Sequence, residues 1–237
     1  MSELESLSAS DLLKWALESY GQEFAISTSF QKEGMVIVDM ASRAGIPFRV
    51  FTLDTGRLPQ ETHQMIDAVR ERYRVPVEVV VPDAAEVQAM VGQYGTNLFY
   101  NSVELRQMCC DVRKVRPLQR KLQGLKAWAA GLRRSQGDTR ARVPKAEEVD
   151  GRVKLSPLAD WTAAQVEDYT QANGVLVHPL YAAGYTSIGC GPCTRAVQAG
   201  ESERAGRWWW EQDAHKECGI HFGPDGAVKR RSATKHA

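Results

Sequence analysis

The sequence predicts an α/β protein with a doubly wound, mostly parallel sheet flanked by helices. Three observations predict it. Short apolar runs rich in Val, Ile and Phe alternate with longer segments of helical periodicity. Polar, turn-forming loops separate each run from the helix after it. The resulting βαβαβα order needs crossover connections, which build parallel sheets covered by helices. Ligands in such sheets sit beyond the C-terminal ends of the strands. The loops that follow strands therefore carry the candidate site.

The elements follow in order. Leu12, Leu13, Ala16 and Leu17 share one face of a helix from about Ser8 to Tyr20, with Ser10 as its cap. Phe24–Ser29 reads as a buried strand, Phe30–Gly34 as a loop and Met35–Ala44 as a helix. The unit repeats as strand Pro47–Leu53, turn Asp54–Arg57 and helix Pro59–Tyr73, with proline in the first turn. Strand Val77–Val81 precedes a helix that Asp83 caps and that runs to Tyr94. Gly95–Asn101 is a break. Ser102 caps a helix over Val103–Val115, and Pro117 starts another. Ala127–Ala130 and Val153–Leu158 are further strands. A last helix starts at Asp160 or Thr162 and ends at Asn173-Gly174. Residues 1–211 form the α/β domain in this reading, and 212–237 form a flexible C-terminal segment.

A net charge of +1 over 237 residues excludes a global field that recruits nucleic acid. The N-terminal Met-Ser-Glu-Leu-Glu-Ser-Leu is acidic and lacks the apolar core of a signal peptide. No apolar run approaches the ~20 residues that span a bilayer. The expectation is a cytoplasmic enzyme with reduced thiols, no nucleic-acid partner and no membrane. The oligomeric state, homo-oligomer included, is left open.

The chemistry centres on five cysteines. Cys109 and Cys110 are adjacent, Cys190 and Cys193 form a C-x-x-C turn, and Cys218 stands alone. Two close pairs suit a tetrahedral thiolate site, either zinc or an iron–sulfur cluster, and the fifth suits a nucleophile. We read the pairs as ligands of a 4Fe–4S cluster; buried structural thiols are the alternative. Neighbouring side chains on a regular helix diverge by about 100°. Two vicinal ligands to one cluster therefore demand a local kink or unusual rotamers. Arg113, Lys114 and Arg116 follow at once, and cations there would stabilise an anionic cluster. His178 reads as structural, since four cysteines already fill the site.

Anion-binding candidates lie in four places. The loop Ser27-Thr-Ser-Phe-Gln-Lys32 offers backbone N–H groups, a helix N-terminus and the side chains of Ser27, Ser29, Gln31 and Lys32. Asp54 in the second loop could bond a ribose or a base, or simply make an Asp-x-Gly turn. Arg133, Arg134, Arg140 and Arg142 lie among Gly and Ser and suit sulfate or phosphate oxygens. Arg204 and Arg207 could face the same anion or pair with Glu201 or Glu203. Trp208, Trp209 and Trp210 cannot all face one core, so some line a pocket or an interface.

Taken together, these motifs resemble the assimilatory adenylyl-sulfate reductases, relatives of the phosphoadenylyl-sulfate reductases and of the PP-loop ATP pyrophosphatases. The resemblance covers roughly Phe24 to Phe222. It rests on Cys109, Cys110, Arg113, Lys114, Cys190 and Cys193, on Glu217-Cys218-Gly219-Ile220-His221, on Gly131-Leu-Arg-Arg-Ser-Gln136, and on Leu53-Asp54-Thr55-Gly56. The Ser-Gly-Gly-x-Asp-Ser loop of the pyrophosphatases appears here as Ser27-Thr-Ser-Phe30-Gln-Lys-Glu, which argues against ATP hydrolysis and for a loop that holds a sulfate.

The resemblance implies a PP-loop-like fold and a two-step thiol reaction. Cys218 attacks adenylyl sulfate, AMP leaves, and thioredoxin or glutaredoxin releases sulfite from an S-sulfocysteine. It implies a 4Fe–4S cluster on Cys109, Cys110, Cys190 and Cys193. Lys114 and His221 would assist the chemistry. Ser27, Ser29, Phe30, Gln31, Lys32, Leu53, Asp54, Thr55, Gly56, Arg133, Arg134, Gln136, Arg140, Arg204 and Arg207 would bind substrate. No thioredoxin-like domain follows Cys218 in this sequence, so a separate thiol donor is expected. Phosphoadenylyl-sulfate reduction and a zinc-binding nucleotide module are the rival readings.

Overall fold

The computed structural model describes residues 1–137 and 140–211. A short helix α1 (Ser2–Glu5) precedes α2 (Ala9–Tyr20). Ser8 caps α2, its hydroxyl accepting the Asp11 N–H at 3.1 Å. The cap is Ser8 rather than Ser10, which already lies inside the helix. The βα units follow as β1 (Phe24–Ser27), α3 (Lys32–Arg43), β2 (Val50–Leu53), α4 (Gln60–Tyr73), β3 (Val77–Val80) and α5 (Ala84–Tyr94). Helix α3 starts three residues earlier than the periodicity indicates, at Lys32 instead of Met35. Gln31 is the extended cap, and Glu33 sits in the first turn, where the positive end of the helix favours a carboxylate.

Ser102 caps α6 (Val103–Cys110) by accepting the Leu105 N–H. The helix does not continue regularly to Val115. A π-helical turn occupies Asp111–Val115, and α7 (Arg116–Leu122) follows with Pro117 in its first turn. Cys109 and Cys110 both lie in the regular part of α6, and the irregular turn begins directly after them.

The last part comprises β4 (Ala127–Ala130), β5 (Ala146–Val149), β6 (Arg152–Leu155) and α8 (Ala163–Asn173). Thr162, not Asp160, caps α8 through a reciprocal box with Gln165. Strand β5 is not legible in the sequence, because Ala-Glu-Glu-Val is polar at its centre. It lies at the sheet edge and pairs antiparallel with β6. Asp150 and Gly151, at φ of 50° and 72°, form the two-residue hairpin turn between them.

The sheet runs β3-β2-β1-β4-β6-β5, parallel except for β5. Phe24 and Ile26 point into one core with α2, α3, α4 and α8, while Ala25 points into a second with Trp128, Leu118 and Leu122. The winding direction reverses between β1 and β4. Loops leaving their C-terminal ends diverge there and open a crevice. A smaller apolar cluster gathers Met90, Leu98, Phe99, Val112 and Trp208 around the paired cysteines. Among the described residues no helix is long and apolar enough to cross a membrane.

Candidate active site

A cavity of about 180 Å³ opens at the switch point. Ser27, Thr28 and Ser29 enter it from the end of β1, Thr52, Leu53 and Thr55 from β2, and Ala130, Gly131 and Leu132 from β4. The N-terminus of α3 faces it through Glu33 and Gly34. The first loop is tightly held. Phe30 adopts φ +59°, uncommon for a bulky residue, with its ring fully buried in the core. Its N–H donates to Thr28 Oγ1 at 2.9 Å. Gln31 donates from Nε2 to Ser29 Oγ at 3.0 Å and accepts the Ile188 N–H at 2.8 Å, tying this loop to the segment before Cys190. A Cβ on Gly131 would lie 2.9 Å from Gly34 N, so only glycine lets β4 and α3 approach this closely.

The charges in the cavity favour an anion. Lys114, Arg140, Arg204 and Arg207 line it against Glu33 and Glu203. Glu33 is already compensated: it accepts Arg133 Nε at 2.8 Å and Gln136 Nε2 at 3.0 Å. Arg133 is buried in this pair, so it braces the cavity wall and does not line the cavity. Burial, and then repulsion from Glu33, holds the Glu203 carboxyl above its usual range. Arg207 is 5% exposed and stacks on Trp208, 4.6 Å from the ring centre. Its Nε has no hydrogen-bond partner, and a Cβ on Gly189 would meet its Cζ at 2.6 Å.

The other sequence candidates are placed variously. Ser27, Ser29, Gln31, Leu53, Thr55 and Gln136 line the cavity, as do Lys114, Arg140, Arg204 and Arg207. Phe30 packs in the core. Lys32 pairs with Glu167 at 2.6 Å and sits over the Tyr181 ring. Asp54 makes the turn, accepting the Gly56 N–H at 2.8 Å, and bonds His63 at 3.0 Å. Arg134 reaches away to the Val143 carbonyl and Glu5. Glu201 pairs with Arg195, not with Arg204 or Arg207. Cys218 and His221 lie outside the described residues. The sequence reading passed over Glu33, Glu203 and the Ser187-Ile188-Gly189 stretch as cavity-lining groups. An acid in the first turn of the helix after the loop was the legible signal for Glu33; nothing local marks the other two.

The four paired cysteines are free thiols that line one small chamber beside this cavity. Arg57, Phe99, Arg106, Arg113, Lys114 and Trp208 complete its walls. No three His, Cys, Asp or Glu among the described residues group closely enough for a single metal ion; the thiols instead surround a space. Burial pushes Cys109 up, and burial with the neighbouring Cys190 pushes Cys193 up to about 12. Burial acts on Cys190 too, but Lys114, the Thr55 hydroxyl and Arg207 outweigh it and hold that thiol below its usual range. Cys109 and Cys193 are thus disfavoured as thiolates, and ionising them needs positive charge nearby. Trp208 Nε1 is a buried donor with no partner at this wall, an unused hydrogen bond for an acceptor placed there. The donor set fits a thiolate-bound metal centre.

Several contacts join chamber and cavity. Lys114 lines both. Arg113 donates to the Thr55 carbonyl at 2.7 Å. The C-x-x-C turn is tied to the second loop by Gly191 N–H to Arg57 O at 2.8 Å. His178 is structural: its Nδ1 accepts the Leu180 N–H, so Nε2 donates to Thr62 at 3.0 Å. Of the three tryptophans, Trp208 is buried, Trp209 exposed and Trp210 between them, so they do face different surroundings.

Fold and site together define a doubly wound α/β protein with an anion cavity at its switch point and a thiol chamber beside it. Residues 23–196 match the phosphoadenosine phosphosulfate reductase domain, and the chain belongs to that family. It is similar to the adenosine 5'-phosphosulfate reductase of Burkholderia cepacia, 49% identical over 83% of this chain and 79% of that protein. The enzyme of the same name from Allochromatium vinosum is 46% identical over 82% and 77%. The chloroplastic 5'-adenylylsulfate reductase 1 of Arabidopsis thaliana is 45% identical over 93% of this chain, which spans only 49% of that protein. Among solved structures, the phosphoadenylyl-sulfate reductase of Candida auris superposes with a TM-score of 0.69 at 28% identity, over 83% of this chain and 93% of that one. The FMN adenylyltransferase of Candida glabrata shares the fold, at a TM-score of 0.56, 13% identity and 85% and 72% coverage.

Proposed function

We propose that the chain reduces adenylyl sulfate to sulfite and AMP in sulfate assimilation. The observation that supports this most is that one cation, Lys114, lines both the anion cavity and the thiol chamber. A nucleotide held by the loops after β1, β2 and β4 would present its sulfate toward Lys114, Arg204 and Arg207. Those cations offset the repulsion between an anionic sulfate and an approaching thiolate.

Cys218 is the nucleophile in this reading, with His221 to lower its pKa or contact the substrate. Its thiolate forms a bond to the sulfate sulfur, the bond from that sulfur to the AMP oxygen breaks, and AMP leaves with the electron pair. A dithiol donor, thioredoxin or glutaredoxin, then attacks Cys218 Sγ and sulfite leaves. The donor's second thiol resolves the mixed disulfide, so the dithiol supplies both electrons. Such thiol traffic suits the reducing cytoplasm.

Cys109, Cys110, Cys190 and Cys193 would hold a 4Fe–4S cluster, whose bound contribution is a rigid, charged centre that the thiol reaction needs no electron from. Arg113 and Lys114 at the chamber wall and the Thr55 hydroxyl on Cys190 would supply that centre with positive charge and a hydrogen bond. Anaerobic protein is expected to carry about four irons per chain. Adenylyl sulfate alone is expected to add one SO₃ group that a dithiol removes. Cys218→Ser should keep the iron and never gain that mass. Zinc without iron would reject the cluster, and sulfite production at the wild-type rate by Cys218→Ser would reject the nucleophile.

A further inference from the structure

Glu211, the last described residue before the Cys218 segment, is held by a closed, two-pronged contact. Its two carboxylate oxygens accept Arg106 Nε at 2.8 Å and Nη2 at 2.9 Å, and both side chains are almost fully buried. Arg106 also lies against Trp208, 4.8 Å from the ring centre. The chain between them is tied down twice more. Trp208 donates its N–H to the Cys193 carbonyl at 3.2 Å, and the Glu211 N–H donates to the Trp208 carbonyl at 2.9 Å. Trp208 takes φ +43°, a conformation bulky residues rarely adopt and that the surrounding bonds must impose.

A buried ion pair is a poor device for stability, because desolvation cancels much of the attraction. A bidentate fork does, however, fix position and angle together. Arg106 lies on α6 four residues before Cys110, hence on the same helical face. The helix that carries one cysteine pair therefore also grips the root of the segment that carries the fifth cysteine. Cys218 follows Glu211 by seven positions; at ~3.3–3.6 Å each, that stretch reaches at most roughly 25 Å. Fixing the root beside the chamber confines that reach and raises the effective concentration of Cys218 at the cavity.

We propose that Arg106 and Glu211 are positioning residues: their clasp sets the point from which the Cys218 segment reaches the substrate. The inference rests on Cys218 as nucleophile, and its test separates the two. Arg106→Met with Glu211→Leu removes the fork while keeping apolar volume, and Arg106→Lys keeps the charge without the fork. Amide exchange at Trp208 and Glu211 is expected to be slow in the wild type and fast in the double variant. The dissociation constant for AMP should stay within about twofold. The single-turnover rate of SO₃ addition to Cys218 should fall by about tenfold or more in the double variant, with Arg106→Lys intermediate. An unchanged exchange rate, or an unchanged transfer rate after protection is lost, overturns the proposal. If wild-type protein takes up no SO₃, the nucleophile assignment fails, and the exchange experiment still decides whether the clasp holds the root.

Discussion

The hydroxyl of Thr55 stands 3.1 Å from the sulfur of Cys190. Thr55 belongs to the loop after β2 and lines the anion cavity, while Cys190 belongs to the C-x-x-C turn of the thiol chamber. One small side chain thus touches both halves of the site. It also accepts the Arg57 N–H at 3.2 Å, so its orientation is fixed by its own loop.

Thr55→Val keeps the shape and deletes the hydroxyl. Loss of a hydrogen bond to a metal ligand typically costs about 10–100-fold in metal retention or activity. If Cys190 holds the proposed cluster, iron release to a chelator under anaerobic conditions is expected to accelerate by about that factor, and Thr55→Ser to behave nearly as wild type. Equal release rates for Val and wild type would show the contact to be incidental.

The buried pair of Glu33 and Arg133 predicts a large stability effect. Both side chains are at most 10% exposed. Glu33→Ala removes the close carboxylate from a buried guanidinium and leaves it only the longer contact to Glu203 at 3.7 Å and the Ser135 hydroxyl, so the loss approaches the about 3–5 kcal/mol of a broken buried pair. For a chain of this size, thermal denaturation should move down by roughly 6–20 °C, from about 2–4 °C per kcal/mol. Glu33→Gln should lose less, because the amide oxygen still accepts from Arg133. A shift of a degree or two for the alanine variant would mean that water has replaced the carboxylate.

His178 predicts a pH dependence of folding. Burial holds its pKa below the ordinary 6.5, with Glu61 opposing weakly. The unfolded imidazole therefore takes up a proton first as pH falls. Its contribution to stability is complete above about pH 6.5 and declines below it, by at most about 1.4 kcal/mol per pH unit. The ring cannot accept a second proton without losing the Leu180 N–H, which donates to Nδ1. Denaturant midpoints between about pH 7.5 and 5 should fall for the wild type and fall less for His178→Gln. Parallel curves would assign the slope to other groups.

Substrate choice follows from the charges at the cavity. A 3′-phosphate would add roughly −1.5 to −2 charges. Arg140 lines the cavity, but it already donates to Gln136 Oε1 at 2.6 Å, and Glu203 shares the same wall. Arg142 is exposed and does not line it. A preference in kcat/KM of about tenfold, or ~1.4 kcal/mol, for adenylyl sulfate over its 3′-phosphorylated form is expected with one thiol donor. Equal values would describe a dual-specific enzyme, and a reversed ratio would reject the assignment.

Period and punctuation determined the parallel sheet, because a strand that is buried on both faces must be apolar and its crossover helix must be amphipathic. They also located the loops after Ser29 and Leu53, although the first strand ends two residues earlier, at Ser27. The two cysteine pairs were visible as pairs, and the helix that carries Cys109 and Cys110 does turn irregular, though only after them, at Asp111–Val115. These features are local, so a linear reading reaches them. Which arginine lines the cavity was decided only by tertiary structure. Arg133 and Arg207 are alike as residues, yet Arg133 is taken up by Glu33, one hundred residues away, while Arg207 lies against Gly189 and Trp208. Strand β5 was likewise decided by its partner: a polar Ala-Glu-Glu-Val segment becomes a strand because β6 offers it a free edge and Asp150-Gly151 permits the turn. Pairings across long sequence separations depend on what else is buried beside each group, and that is fixed only when the whole sheet has closed around the site.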